Sequence, residues 1–414
     1  MSKFRLLELP FLPLELIIKL MSPQQMFQLV MASPQVENII KFFSKYKVDI
    51  LHYVLKKDKS FYGITQKKAR THLLFEKIFS SQTLPKLSAN SDLSVWYDST
   101  GEDTVYCTAK DFVEHSATLT KRIRPLFDPV LVCLQFDLDD LYTQNIITHL
   151  QQCIGEKNLK IFLNGSRAKR EVLDYLMDNF SSPTKIHCIS SVPIDYYHKD
   201  AFNFQTLYYE DARWISVNYL TSLRFCQLLH MENTRLDSKD INTFLKFWVM
   251  CNEETVSHLK VKLRRGAEFD HKVILDGILY IHTAERSFFS CVMITEKFKT
   301  VKNLLGHLRF KNEAIDFSTH PDSDETNTHI EILKLCRQKR DLQNEYDGYC
   351  ELEEELLLKR SQLNQEALEY NRIEEELRSV VGHKDRIRKA IVSVLMRNDS
   401  LGYVRSQQER EEFG

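Results

Sequence analysis

Short apolar runs alternate with amphipathic segments through the middle of the chain, and this alternation restricts the fold more than any other feature of the sequence. Leu131-Val132-Cys133-Leu134-Gln135-Phe136 reads as a strand and 142–154 as a helix; 159–163 reads again as a strand and 169–179 as a helix. Further strands are expected at 185–190, 206–209, 225–231 and 257–263, with helices at 214–222 and 238–250. Parallel neighbours cannot be joined by a tight turn, so strands spaced by helices predict an α/β fold with parallel strands and crossover helices.

The two flanks have different patterns. At the N-terminus, Leu9-Pro10-Phe11-Leu12-Pro13-Leu14-Glu15-Leu16-Ile17-Ile18-Lys19-Leu20-Met21-Ser22-Pro23 predicts short helices punctuated by proline. Pro13 is expected to open a helix with Leu14, Ile17, Ile18 and Met21 on one face, since a first-turn N–H has no intrahelical partner to lose. Ser22 is the expected N-cap of a second helix burying Met26, Phe27, Leu29 and Val30. Ser33-Pro34 repeats the device ahead of Val36, Ile39, Ile40 and Phe43. Such a cluster carries more apolar surface than it can bury alone.

At the other end, Leu335, Leu342, Tyr349, Leu356, Leu363, Tyr370 and Leu377 recur every seven residues, the period of a coiled-coil seam. The companion position is only half apolar, firming up through Ile373, Val380, Ile387 and Val394. A continuous helix from Leu335 to Leu377 would be about 63 Å long and would bury nothing along its stripe if solitary. It is therefore expected to pair with a second copy, with a partner or back on its own body.

The N-terminal pattern, Leu-Pro, then Leu-Pro-Leu-Glu, an apolar helix, Ser-Pro and a second apolar helix, resembles an F-box of the nematode type. The resemblance implies docking to a Skp-type adaptor, and through it to a cullin ligase scaffold. Its matching positions are Leu9, Pro10, Leu12, Pro13, Leu14, Ile17, Ile18, Met21 and Leu29. Asp211-Ala212-Arg213-Trp214-Ile215, Asp240-Ile241-Asn242-Thr243-Phe244-Leu245-Lys246-Phe247-Trp248 and Leu259-Lys260-Val261 resemble the F-box associated domain type 2 of nematodes. Residue by residue, Phe244, Leu245 and Trp248 are most simply one buried helix face, and Trp214 a core aromatic. The expected organisation is an F-box over 1–46, a helical or irregular connection over 47–125 and the α/β F-box associated domain over 126–320. A coiled coil over 328–398 and a disordered tail over 399–414 follow. A stack resembling leucine-rich repeats and an ordinary open sheet both satisfy the middle pattern, which has no strict period.

Other classes of function are poorly supported. Lys and Arg number 56 against 57 for Asp and Glu, which argues against a nucleic-acid surface. Charges and prolines interrupt the apolar N-terminus, and no window has the roughly eighteen uncharged apolar residues of a membrane span, so an intracellular, cytoplasmic or nuclear protein is expected. Nine cysteines without a Cys-x-x-Cys pair suit reduced thiols. With 11 glycines and neither Gly-x-Gly-x-x-Gly nor a P-loop, nucleotide enzymes are disfavoured. Asp137, Asp139 and Asp140 read as a helix cap, and His187-Cys188 and His282 lack a second ligand or base. No catalytic residue, metal site or cofactor is expected. The resemblance implies a substrate-recognition adaptor of an SCF-type ubiquitin ligase, with an unidentified target and a homo-oligomer as one outcome of the coiled coil. The alternative is a coiled-coil scaffolding protein without ligase role.

Overall fold

The structure is a computed structural model describing residues 9–32, 34–43, 46–56, 59–66, 69–76, 94–97, 105–108, 120, 122–181, 183–224, 226–251, 253–262, 270–282, 290–294, 305–311, 314–320, 324–362 and 368–401. The chain divides into two compact units, Met1–Asp237 with Thr255–Ala267, and Ser238–Glu254 with Glu268–Gly414.

The first unit opens with helices α1 (Phe11–Leu20), α2 (Pro23–Ala32) and α3 (Pro34–Phe43). Helix α1 begins two residues before Pro13, which lies within the first turn where its missing N–H costs nothing. The Ser22 cap is as expected: the Gln25 N–H donates to Ser22 Oγ at 3.2 Å and the Ser22 N–H to Gln25 Oε1 at 2.9 Å, a reciprocal capping box. Met26, Phe27, Val30 and Ile40 are fully buried, while Leu29 is only half-buried. Arg122 ties this cluster to the rest of the unit by donating to Glu37 and to the Val30 carbonyl.

The segment from 47 to 125, expected as a helical or irregular connection, instead contributes strands, beginning with β1 (Tyr46–Leu55), β2 (Lys59–Gln66) and β3 (Ala69–Glu76). In β1 the buried residues are Val48, Leu51, Tyr53, Val54 and Leu55, which follow no clean period of two, so the strand has no periodic signal in the sequence. A separate antiparallel pair, β4 (Ser94–Tyr97) and β5 (Val105–Thr108), follows. Then come β6 (Phe127–Asp137), α4 (Thr143–Gln151), β7 (Leu159–Asn164), α5 (Arg170–Asn179), β8 (Lys185–Cys188), β9 (Thr206–Tyr209), α6 (Val217–Ser222), β10 (Cys226–Met231) and β11 (Val256–Lys262). The strand order is β11-β10-β9-β8-β7-β6-β1-β2-β3. From β1 to β11 every pairing is parallel, and from β6 onward each strand lies beside the one before it. Only β2 and β3 turn back antiparallel.

One face of this sheet is the core: Tyr53, Leu134, Ile161, Ile186, Leu207, Leu229 and Leu259 are all buried on it. His149 of α4 stacks on Tyr53 and is itself buried, its Nδ1–H donating to the Asn145 carbonyl. The aspartates after β6 do not cap α4, whose N-cap is Tyr142. Asp139 instead accepts from the Ser166 N–H and hydroxyl, both at 2.7 Å, bracing the turn after β7.

The second unit contains α7 (Ser238–Met250), α8 (His271–Ile274) and an antiparallel meander of β12 (Tyr280–His282), β13 (Ser290–Ile294), β14 (Leu305–Lys311) and β15 (Ala314–His320). Phe244, Leu245 and Trp248 form the expected buried face of α7, with Phe244 and Trp248 set edge-on to Phe317. Asn242, also buried, donates to the carbonyls of Ile274 and Asp276, pinning the turn after α8.

The seven-residue ladder does not form one continuous helix. It is split between α9 (Asp324–Ser361) and α10 (Leu368–Ser400), which run antiparallel. Arg360 pairs with Glu374, Glu353 with Lys384, and Asn398 reaches Cys336. Leu356, Ile373, Leu377 and Val380 bury one another, and Leu342, Tyr346 and Tyr349 pack on Ile387, Ile391 and Leu395. Leu335 is buried and Tyr370 half-buried; Leu363 and most of the tail after Ser400 lie outside the described residues. Of the three pairings the sequence left open, the chain uses the one on itself, so a seam strong at one position in α9 is completed by the apolar residues of α10.

His149 sits neutral in the core, with burial pushing its pKa down to about 4, so in acid the unfolded chain binds a proton that the folded chain does not. Stability is therefore full above about pH 6.5 and falls by roughly 3 kcal/mol as pH drops towards 4. Denaturant titrations of wild type and His149→Phe across this range should show the loss in the first and a flatter profile in the second. In the second unit, a Cβ on Gly306 would lie 2.6 Å from the Phe317 ring and 2.8 Å from that of Trp248. Gly306→Ala should cost about 1–3 kcal/mol in the same assay.

Candidate functional site

Two surfaces of the first unit stand out, one on α1 and α3 and one on the parallel sheet. Helix α1 is apolar almost all round, and an all-apolar helix needs cover on every side. Leu14 and Ile18 point inward, at 6% and 1% exposure. Leu12, Leu16 and Leu20, spaced by one helical turn on another side, stay 68%, 62% and 84% exposed. Phe11 and Phe42 are also exposed and form an aromatic cluster with Phe43. The patch has no cover from the described residues.

The expected adaptor-contact residues separate accordingly. Leu12 belongs to the exposed stripe, Pro10 and Pro13 are exposed beside it, and Leu9, Ile17, Met21 and Leu29 are half-buried. Leu14 and Ile18 are core residues of the chain itself, so they shape the surface without touching a partner. Phe11, Leu16, Leu20 and Phe42 were missed by motif matching. For Phe11, Leu16 and Leu20 the signal was α1's apolar residues outside the Leu14–Ile18 stripe, whereas Phe42 belongs to α3 and joins the patch only through its ring contacts.

On the sheet, the face opposite the core carries an in-register row from β7 to β10: Phe162, His187, Tyr208 and His230. Their rings follow one another at centroid distances of 5.1, 4.1 and 4.7 Å. All four are half-buried. The adjacent row reads Cys133, Lys160, Lys185, Thr206, Leu228 and His258 across β6 to β11. Burial, then Lys160 and His230, hold the His187 pKa below its ordinary value, so its ring is neutral at pH 7. On the far side of the row, burial and then the carboxylates of Glu232 and Glu210 push the Tyr208 phenol up.

Chemistry of the nucleophilic kind is poorly served by these residues. Burial pushes the Cys153, Cys188, Cys226 and Cys291 thiols up to about 12, leaving them protonated. Among the described residues no group of three or more His, Cys, Asp or Glu is placed to hold a metal ion, and no helix is long and apolar enough to cross a membrane. Trp214 is a core aromatic packed among Tyr196, Phe202, Tyr209 and Tyr219. Its neighbour Arg213 clamps Asp211, which also accepts from Ser191 Oγ. Burial raises the Asp211 pKa, but these hydrogen bonds outweigh it and hold the carboxyl below its ordinary value. The Asp-x-Arg-Trp motif is thus a brace for the turns at the strand ends.

Residues 197–261 match the F-box associated family, bearing out the resemblance read between Asp211 and Val261. The chain is also 20% identical over 292 residues to the Skn-1 dependent zygotic transcript 15 protein of Caenorhabditis elegans, an alignment covering 66% of this chain and 83% of that protein. No solved structure matches the chain significantly. The matched segment contributes Tyr208, His230, His258 and Lys260 to the open sheet face, together with the Trp214 cluster beneath it.

Because Leu16 and Leu20 are exposed, Leu16→Glu with Leu20→Glu should change the unfolding free energy by less than about 0.5 kcal/mol each. Ile18→Ala should cost about 2–5 kcal/mol in the same denaturation experiment.

Proposed function

We propose that this chain is a substrate-recognition adaptor of an SCF-type ubiquitin ligase, docking a Skp-type adaptor through α1–α3 and capturing a target protein on the α/β sheet. The observation that carries this reading is the outward stripe of Leu12, Leu16 and Leu20 with Phe11 and Phe42, in a chain that also holds an F-box associated segment. A helix cluster that buries Leu14 and Ile18 on one side of α1 and leaves a second apolar side exposed is built for a partner. In this reading the cullin scaffold and its other subunits perform the chemistry, the protein works inside the cell, and its contribution is proximity. A tethered target meets the charged conjugating enzyme at high effective concentration. The adaptor interface would be of ordinary size, roughly 1,600 Å² in total, with its energy concentrated in a few apolar anchors.

The alternative of a coiled-coil scaffold draws on the seven-residue ladder. That ladder is filled by the chain's own returning helix, which weakens the alternative.

Co-expression with a Skp-type adaptor tests the proposal. Wild type should retain the adaptor through affinity purification, and the Leu16→Glu, Leu20→Glu variant should lose it while unfolding at the same temperature. Failure of wild type to retain adaptor in gentle salt would sink the ligase reading.

A further inference from the structure

The open face of the parallel sheet carries a charge arrangement that the described residues do not neutralise. Lys160 and Lys185 are directly paired across β7 and β8, and both are half-buried. Neighbouring strands lie about 4.8 Å apart, and like charges directly opposite one another destabilise a sheet. Among the described residues neither lysine has an acidic partner. Lys160 rests over the Phe162 ring at 4.5 Å, a contact that holds it against the face without cancelling its charge.

Beside this pair runs the ring ladder of Phe162, His187, Tyr208 and His230, with Leu228 40% exposed in the lysine row itself. The ladder is uncharged at His187 near neutrality, so the positive potential comes from the lysines. Across the ladder from them the charges are mixed: Lys260 stands exposed beside His230, Glu232 lies within 3.4 Å of His230 Nε2 and within 4.0 Å of Lys262, and Glu210 stands exposed one strand away. A polyanion laid across the face would meet these carboxylates, and the lysine edge has no arginine fork for bidentate phosphate recognition. A protein segment with one acidic side and one apolar side meets neither objection.

We propose that this face grips an extended segment of the target protein in which an aspartate or glutamate adjoins an aromatic residue. The carboxylate sits between Lys160 and Lys185 and the aromatic ring lies on the Phe162–His187–Tyr208–His230 ladder. The inference deepens the target-capture half of the function proposed above and rests on it. Its mechanism is charge neutralisation: a bound carboxylate relieves the lysine repulsion that the free protein carries, while the ladder supplies stacking area at little cost in side-chain entropy.

The experiment is a selection from a random peptide library displayed on phage, using the full chain as bait. Recovered peptides are then synthesised with a fluorescent label and titrated by anisotropy. Enrichment of Asp or Glu next to Phe, Tyr or Trp is expected, with affinity about tenfold weaker for Lys160→Gln, Lys185→Gln, as when close charge pairs are removed. Tyr208→Ala should also weaken binding, and peptides with the acid replaced by its amide should bind wild type no better than they bind the lysine variant. Matching thermal unfolding of the variants controls for folding. Recovery of no peptide, or of peptides without an acidic residue, or of peptides indifferent to the two lysines, overturns the proposal. So does tighter binding of an oligouridylate that depends on the same lysines, which would assign the face to nucleic acid. Adaptor retention reads only α1–α3, so loss of that interaction with peptide binding intact would remove the ligase and leave the recognition face.

Discussion

Parallel pairing from β1 to β11 is the constraint on which the first unit rests. A strand can be laid parallel to its predecessor only after the chain has travelled back, and the returning segments gather over Tyr53, Leu134, Ile161, Leu207 and Leu259. That side becomes dry, and the burial of His149 against Tyr53 shows how far water is excluded. Because side chains alternate along each strand, the opposite side receives every second residue whatever its chemistry. A dry face and a decorated face are therefore products of one geometry.

The two units illustrate different uses of aromatic residues. On the covered side, Trp214 and Tyr209 are packed edge to face and contribute area and rigidity. In the second unit, Trp248 and Phe317 close so tightly over Gly306 that no side chain fits there. Phe162 and Tyr208, in contrast, stay half-buried and aligned across strands on the opposite side of the sheet. The same residue types serve as mortar in two places and as a platform in a third.

Local pattern carried much of this into the sequence. Strands 206–209 and 226–231 and helix 238–250 fall almost where apolar periodicity puts them, and the Ser22 cap is readable because its partners are three residues apart. The β1–β3 meander was hidden because the buried residues of β1, from Val48 through Tyr53, Val54 and Leu55, follow no clean period of two. The ring ladder was hidden for a different reason. Phe162, His187, Tyr208 and His230 are distant in sequence and become a row only when strand register is fixed, and no single segment records that register. The outward leucines of α1 lay in plain view, but their significance depended on learning that Leu14 and Ile18 alone satisfy the core.

The helical ladder makes the complementary point, since a period of seven specifies a seam and leaves the identity of the second strand open. The chain's return through α10 has a mechanical consequence. Helix α9 extends for about 57 Å at about 1.5 Å per residue, yet Asn398 meets Cys336, and Leu401 packs on the Ile281, Val292 and Leu305 cluster from which that helix sets out. The return of the chain thus brings Leu401 back to the root of the hairpin. Fraying of the last turn of α10 would therefore uncover the same apolar cluster that seats Ile330, Ile332 and Leu333 of α9, so the two ends of the pair are stabilised together.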